Sequence, residues 1–258
     1  MFWNTVGSIL TEYWSWLLSG VGYTMLISLI GTVLGLFIGI IIGIIRTIPR
    51  GKKTWARVIQ KIVNFILSAY IEIFRGTPMM VQAMVIYWGF AFANPGNTLP
   101  LLPSGIFIVS INTGAYISEI VRGGIISIDR GQFEGAQSIG MNHFQTMFCV
   151  IIPQVMRNIL PAVSNEFVIN VKDTSVLNVI GVSELYFQAY TIQSGNLKIF
   201  ETYFIICVIY FILTFTITRF LRLLERHLEG KNNYTIYGSQ TDPAAEIHIK
   251  QEERNIDA

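Results

Sequence analysis

The chain has 258 residues, of which 52% are hydrophobic and only 13% charged, with a formal net charge of +2. Soluble domains carry about a quarter charged residues, so this composition excludes an ordinary soluble domain, and so small a positive charge excludes a nucleic-acid surface. The chain reads as an all-α integral membrane protein.

From Val21 to Ile45 no residue is charged, and a helix of that length exceeds the roughly 30 Å hydrocarbon core of a bilayer. This is the first of about five expected spans, preceded by an extracytoplasmic segment over residues 1–21. Gly31, Gly35, Gly39 and Gly43 recur every four residues and form a face that another helix can approach closely. That helix belongs either to this chain or to a second one.

Over residues 58–74, Lys61, Asn64, Ser68 and Glu72 form a polar stripe beside Ile62, Phe65, Ile66 and Tyr70, the spacing of an amphipathic helix. Glu72 and Arg75 precede Gly76-Thr77-Pro78, where Thr77 is expected as the cap and Pro78 as the first helical residue of a second span, 77–93. The stretch NPGNTLPLLPSG breaks the chain before a third span, 104–121, which carries Asn112 and Thr113 and ends near Glu119 and Arg122, three residues apart and expected to pair. A fourth span, 153–172, holds Arg157, Asn165, Glu166 and Asn170, and a fifth covers 202–218. Cys149 and Cys207 lie in apolar runs and are expected as reduced, buried thiols.

Six basic residues lie between Arg46 and Lys61 and four between Arg219 and Lys231, against none in residues 1–21 or 94–104. The positive-inside rule then makes both basic stretches cytoplasmic, with the N-terminus outside, the C-terminus inside and residues 122–152 in the cytoplasm. The transmembrane domain is expected over 22–221 with a cytoplasmic loop at 123–150, followed by a tail over 222–258 that is disordered from Asn232 onward.

That loop contains FEGAQSIGMNHF, residues 133–144. Ser127 or Asp129 can cap a helix, Phe133, Ala136 and Ile139 recur at helical spacing, Gly140 ends the turn, and Phe144, Met147 and Phe148 begin a second apolar face. Two short helices with a glycine joint follow, each too short to stand alone. Their apolar faces need cover, from the rest of this chain or from a second protein.

Residues 114–181 and the stretch EIFRGTPMMVQ, 72–82, closely resemble the permease subunits of bacterial ABC importers of the polar amino acid family. The match centres on that family's coupling motif, seen here as Glu134-Gly135-Ala136, then Gly140, then Ile152-Pro153, and it includes Lys172-Asp173-Thr174-Ser175. The family's triplet has alanine where this chain has Gly135, a change that costs about 1 kcal/mol in an exposed helix.

The resemblance implies an ABC type I importer permease fold, which is no enzyme itself. It implies a location in the bacterial cytoplasmic membrane and a second permease chain, identical or similar. It also implies an extracytoplasmic amino-acid-binding protein and two copies of a cytoplasmic ATPase that carry ATP and Mg and grip the loop at Glu134, Gly135, Ala136, Gly140 and Pro153. The chain contains no G-x-x-x-x-G-K-[S/T] loop, since Gly51-Lys52-Lys53-Thr54 lacks the preceding glycine, so no cofactor is expected on it.

Ionisable groups inside spans are costly and are functional candidates by default. Glu166 is the clearest, with Asn165, Asn170, Asn112 and Thr113 as further pathway candidates. Its carboxylate suits an amino acid's ammonium group; the alternative is a structural partner for Arg157 or another helix. Lys172, Asp173, Thr174 and Ser175 suit an outer gate or a charge-paired helix end, and Arg75, Gly76, Thr77 and Pro78 a helix start. A gradient-driven transporter would show internal repeats and more spans, and the scattered His143, His227 and His248 offer no metal cluster.

Overall fold

The computed structural model describes residues 1–49 and 53–229, and these are helical apart from turns and short connections. Arg50, Gly51 and Lys52 of the first basic stretch, Lys231 of the second and the tail expected to be disordered lie outside the described residues.

Helix α1 spans Phe2–Thr47, so the expected extracytoplasmic segment is helical and continuous with the first span. Charge alone marked Val21 as the start, whereas Val6, Ile9 and Leu17 extend the helix by packing among Leu185, Ile192, Ile205 and Ile206. Helix α2 (Thr54–Gly76) is the amphipathic segment, and α3 (Met79–Ala93) follows after a break. Helix α4 covers Leu101–Ile126, α5 Arg130–Ser138 and α6 His143–Gln145. A π turn over Thr146–Ile151 leads into α7 (Ile152–Asp173), which tightens to a 3-10 segment at Thr174–Ile180 and ends at Gly181, φ +89°. Helices α8 (Leu185–Asn196) and α9 (Ile199–Glu229) complete the chain, so residues 222–229 of the expected tail are helix.

Among the described residues, four helical stretches are long and apolar enough to cross a bilayer: Phe2–Thr47, Leu101–Ile126, His143–Ile180 and Ile199–His227. The expected span at 77–93 is the 15-residue α3, about 22 Å at 1.5 Å per residue and too short to cross alone. Chain direction supplies the missing pass. Gly31, Gly35, Gly39 and Gly43 of α1 face Val109, Thr113, Ile117 and Val121 of α4 in the same order, so the two helices run parallel and α2 with α3 carries the chain back between them. The glycine face therefore packs within the chain.

The break at Gly76–Pro78 has a physical cause. Pro78 has no N–H and pushes Thr77 into extended geometry, φ −124° and ψ 146°. Pro78 is thus the N-cap of α3 rather than its first residue, and no side chain caps that end. Gln82 repairs the gap, its Nε2 donating to the carbonyls of Phe74 and Thr77 at 2.9 Å each. In lipid such freed carbonyls must be satisfied from within the protein.

Three apolar clusters follow one another along the bundle. Val6 to Leu17 with α8 and α9 form the first, Ile27, Tyr87, Ile108 and Leu177 centre the second, and Ile117, Val121, Met147, Ile151 and Val155 centre the third. Glu184 precedes α8 and is fully buried, its carboxylate accepting hydrogen bonds from the Phe187 and Tyr186 amides at 2.7 and 2.9 Å and from the Tyr210 hydroxyl at 3.0 Å. Burial pushes its carboxyl up to about 7, against the pull of those three donors.

Candidate functional site

The loop helix α5 starts where Asp129 accepts from the Gly131 amide at 2.6 Å, the capping role expected of it. It stops where Gly140 takes φ +81°. The Gly140 amide donates to the Gln137 carbonyl at 2.9 Å and the Met141 amide to the Ala136 carbonyl at 3.1 Å, a Schellman closure that the left-handed residue makes possible. Asn142 then opens α6 with a capping box closed by Gln145.

The expected second short helix is instead continuous with the fourth span, because the π turn carries the chain from α6 into α7 without a stop. Pro153 stands in the first turn of α7. Its missing N–H removes a rung reaching back toward Cys149, and the wider π turn absorbs the gap.

This chain covers part of the loop's apolar surface and leaves the rest exposed. Phe133, Ala136 and Met147 turn into this chain, where Phe133 and Met147 join the third cluster and Ala136 is buried. Ile139, Phe144 and Phe148 remain 76%, 67% and 47% exposed, with the two phenyl rings 4.4 Å apart. Glu134, Gly135, Gly140 and Pro153 are exposed as well. Cys149 and Cys207 are free but exposed, contrary to expectation. An apolar run in a membrane protein can face outward as readily as inward.

The intramembrane candidates divide into separate groups. Asn170 donates to Thr32 Oγ1 at 2.8 Å and to Thr113 Oγ1 at 2.9 Å, tying α7 to α1 and α4. Asn112 donates to Gln82 Oε1 at 2.9 Å and so joins the helix break. These three candidates are engaged inside the protein. Glu166 differs: at 8% exposure it has neither a hydrogen bond nor an ion pair among the described residues. The charges that act on it belong to Asp173 and Arg75, not to Arg157, the structural partner in the alternative reading. Arg75 is exposed and its guanidinium carbon lies 5.4 Å from the Tyr116 ring centroid, a cation–π contact.

Asn165, adjacent to Glu166 and about 100° from it round the helix, lines a cavity of about 190 Å³ between α7 and α9. Thr174 is buried and Ser175 half-buried where α7 tightens, while Lys172 and Asp173 are exposed beside them. Glu119 accepts from Arg122 at 2.9 Å, as expected, and also pairs with Arg46 of α1.

Sequence reasoning missed Gln82, Thr32, Arg46 and Glu184. Thr24, Ser28 and Thr32 did carry a signal, a four-residue polar repeat in an uncharged span. Glu184 takes the N-cap position of α8 although glutamate is outside the usual Ser, Thr, Asp and Asn set, so the local pattern did not mark it.

Residues 53–230 match the family model for the binding-protein-dependent transport system inner membrane component. The chain is 37% identical over 168 residues to the glutamine transport system permease protein GlnP of Escherichia coli K12, covering 65% of this chain and 77% of that protein. It is 35% identical over 219 residues to the L-cystine transport system permease protein TcyB of Bacillus subtilis, covering 84% and 88%. Among solved structures, a chain from an amino acid ABC transporter crystallised with histidines superposes with a TM-score of 0.72 at 36% identity, covering 84% of this chain and 96% of that one. A methionine ABC transporter, MetNI, in an inward-facing form shares the fold at 20% identity and a TM-score of 0.69.

Proposed function

The chain belongs to the binding-protein-dependent transport system inner membrane components, as the multi-pass permease component of an amino acid ABC importer, and from that premise we propose how it works. It moves a polar amino acid into the cytoplasm by alternating access, driven by a separate ATPase that binds ATP and Mg and engages residues 127–147. The observation that carries this is the uncovered apolar face of Ile139, Phe144 and Phe148 beside exposed Glu134. The chain's own core takes up only the other half of the loop.

The working assembly consists of two permease chains, two ATPase subunits and an extracytoplasmic binding protein, with lipid around the permease domain, 22–221. The N-terminus lies outside and the C-terminus in the cytoplasm. In support, Arg46, Arg57, Arg219, Arg222 and Arg226 belong to the same end of the bundle as the loop, because α1, α4 and α9 all run toward it.

Within the pathway Glu166 receives the substrate's ammonium group, since a buried carboxylate with no protein partner is expensive unless a cation reaches it. Arg75 stands where it can receive the carboxylate. Lys172, Asp173, Thr174 and Ser175 form the outer end of the pathway.

The test is reconstitution. ATP-driven uptake of glutamine, glutamate, arginine, histidine or cystine by the full assembly, lost together with ATPase copurification on replacing Glu134 and Gly140, supports the reading. Gradient-driven, ATP-independent uptake by the purified chain alone overturns it.

A further inference from the structure

The cavity between α7 and α9 has a chemistry that the pathway around Glu166 does not use. Ser164 and Asn165 line it from α7, and Thr218, Arg222 and Glu225 from α9. Its volume of about 190 Å³ equals roughly six waters at about 30 Å³ each, room for the charged head of an amino acid and the start of its side chain.

The lining is chemically unspent. Arg222 and Glu225 stand one helical turn apart, yet no ion pair joins them and neither bonds another described residue. The pair with the same spacing in α4, Glu119 and Arg122, closes at 2.9 Å. The side chains of Ser164 and Asn165 also have no hydrogen bond among the described residues. Pro161, at the same cavity, removes one rung of the α7 ladder. A guanidinium takes a carboxylate through two parallel N–H bonds, while Glu225 takes an ammonium group and repels a phosphate.

Its position matters as much as its lining. Pro161 and Val168 of α7 share the cavity with Thr218 and Glu225 of α9, and Arg222 to Glu225 lie toward the end of the bundle that carries the coupling loop. Asn165 lines this cavity, whereas the adjacent Glu166 is buried and does not.

We propose that this cavity is a second amino-acid site on the release side, holding a substrate's carboxylate on Arg222 and its ammonium on Glu225 with Ser164 and Asn165 completing the shell. The proposal rests on the importer reading for its direction and not for its chemistry.

Equilibrium binding tests it on the full permease–ATPase assembly in lipid nanodiscs without ATP, using labelled L-glutamine, L-histidine and L-cystine. The wild type is expected to bind about two molecules of one of these per permease chain. Arg222→Gln and Glu225→Gln should each weaken one site at least tenfold and leave the other, and Glu166→Gln should do the reverse. Asn165→Leu fills the cavity from the α7 side and should act like Arg222→Gln, which covers the case of a misfolded α9 variant. A single site per chain overturns the proposal, as does a second site indifferent to all three cavity variants or displaced by phosphatidylglycerol. Binding intact at the cavity with no ATP-driven uptake by the wild type sinks the importer reading instead.

Discussion

Gly39 of α1 lies so close to Ile117 of α4 that a Cβ built on the glycine would stand 2.6 Å from Ile117 Cγ2 and 2.9 Å from the Ser118 amide nitrogen. A rotamer change can move the isoleucine, but nothing moves the backbone amide without separating the helices. Gly39→Ala should therefore cost about 1–3 kcal/mol as an overpacking change. It should appear as a lower thermal midpoint of the purified chain, whereas Gly22→Ala, which meets nothing within 4 Å, should leave the midpoint unchanged or raise it. Equal midpoints for the two variants would contradict the tight α1–α4 contact.

Asn170 and Glu166 sit one helical turn apart on α7 and should respond differently to substitution. Asn170→Ala leaves the Thr32 and Thr113 hydroxyls short of a partner and should cost about 1–3 kcal/mol of stability. Glu166→Gln breaks no hydrogen bond among the described residues and should keep the thermal midpoint while lowering uptake at least tenfold. Midpoint and uptake measured on the same preparations separate the two roles; a large midpoint loss in Glu166→Gln would make its carboxylate structural.

Two glycines of the loop should have opposite effects. Gly140 has open space around it but φ +81°, so Gly140→Ala strains the backbone by about 1–2 kcal/mol and should loosen the Schellman closure. Gly135 has open space and ordinary helical geometry, so Gly135→Ala should strengthen α5 by about 1 kcal/mol. ATPase retention on an affinity column is expected to fall in the first variant and to hold or rise in the second.

The protein should lose stability as pH rises through the neutral range because of Glu184, which lies outside the membrane-spanning helices. Its carboxyl moves from an ordinary 4.5 to about 7 in the folded chain. The folded state thus holds a proton that the unfolded state releases. The stability contributed by the protonated form is full below pH 4.5 and is lost as pH rises to about 7, a change worth roughly 3 kcal/mol. Thermal midpoints between pH 5 and 8 should fall for the wild type and stay flatter for Glu184→Gln. Matching profiles would remove Glu184 as the source.

Apolar run length made most of the bundle legible, because a bilayer demands long uncharged helices and the sequence has few other places for them. The ends of helices were less legible. Phe2–Gly20 is helical with Val6, Ile9 and Leu17 packed on α8 and α9, contacts that hydropathy does not register, and α9 continues past the last apolar run to Glu229. At Pro78 the rule favouring proline as first helical residue lost to the extended geometry of Thr77. Within the candidate site, Asp129, Gly140 and the Glu119–Arg122 pair were legible since their partners are local. Asn170 and Asn112 look like pathway groups until Thr32 and Gln82, far away in sequence, are seen to bind them. Arg222 read only as a marker of sidedness, and its cavity depends on how α9 lies against α7.

The run from His143 to Ile180 contains no loop. At about 1.5 Å per residue its 38 residues make a rod of roughly 55 Å, with the exposed Phe144 near one end and the buried Thr174 near the other. Three irregular places interrupt that rod: the π turn at Thr146–Ile151, Pro161 inside α7 and the 3-10 segment at Thr174–Ile180, and the π turn is the one nearest the phenyl ring. Under the proposed importer mechanism, tilting or rewinding of that turn would carry a movement at the loop toward the far face as a change in angle. Glu166 sits on the same shaft, between the two ends, and would turn with it.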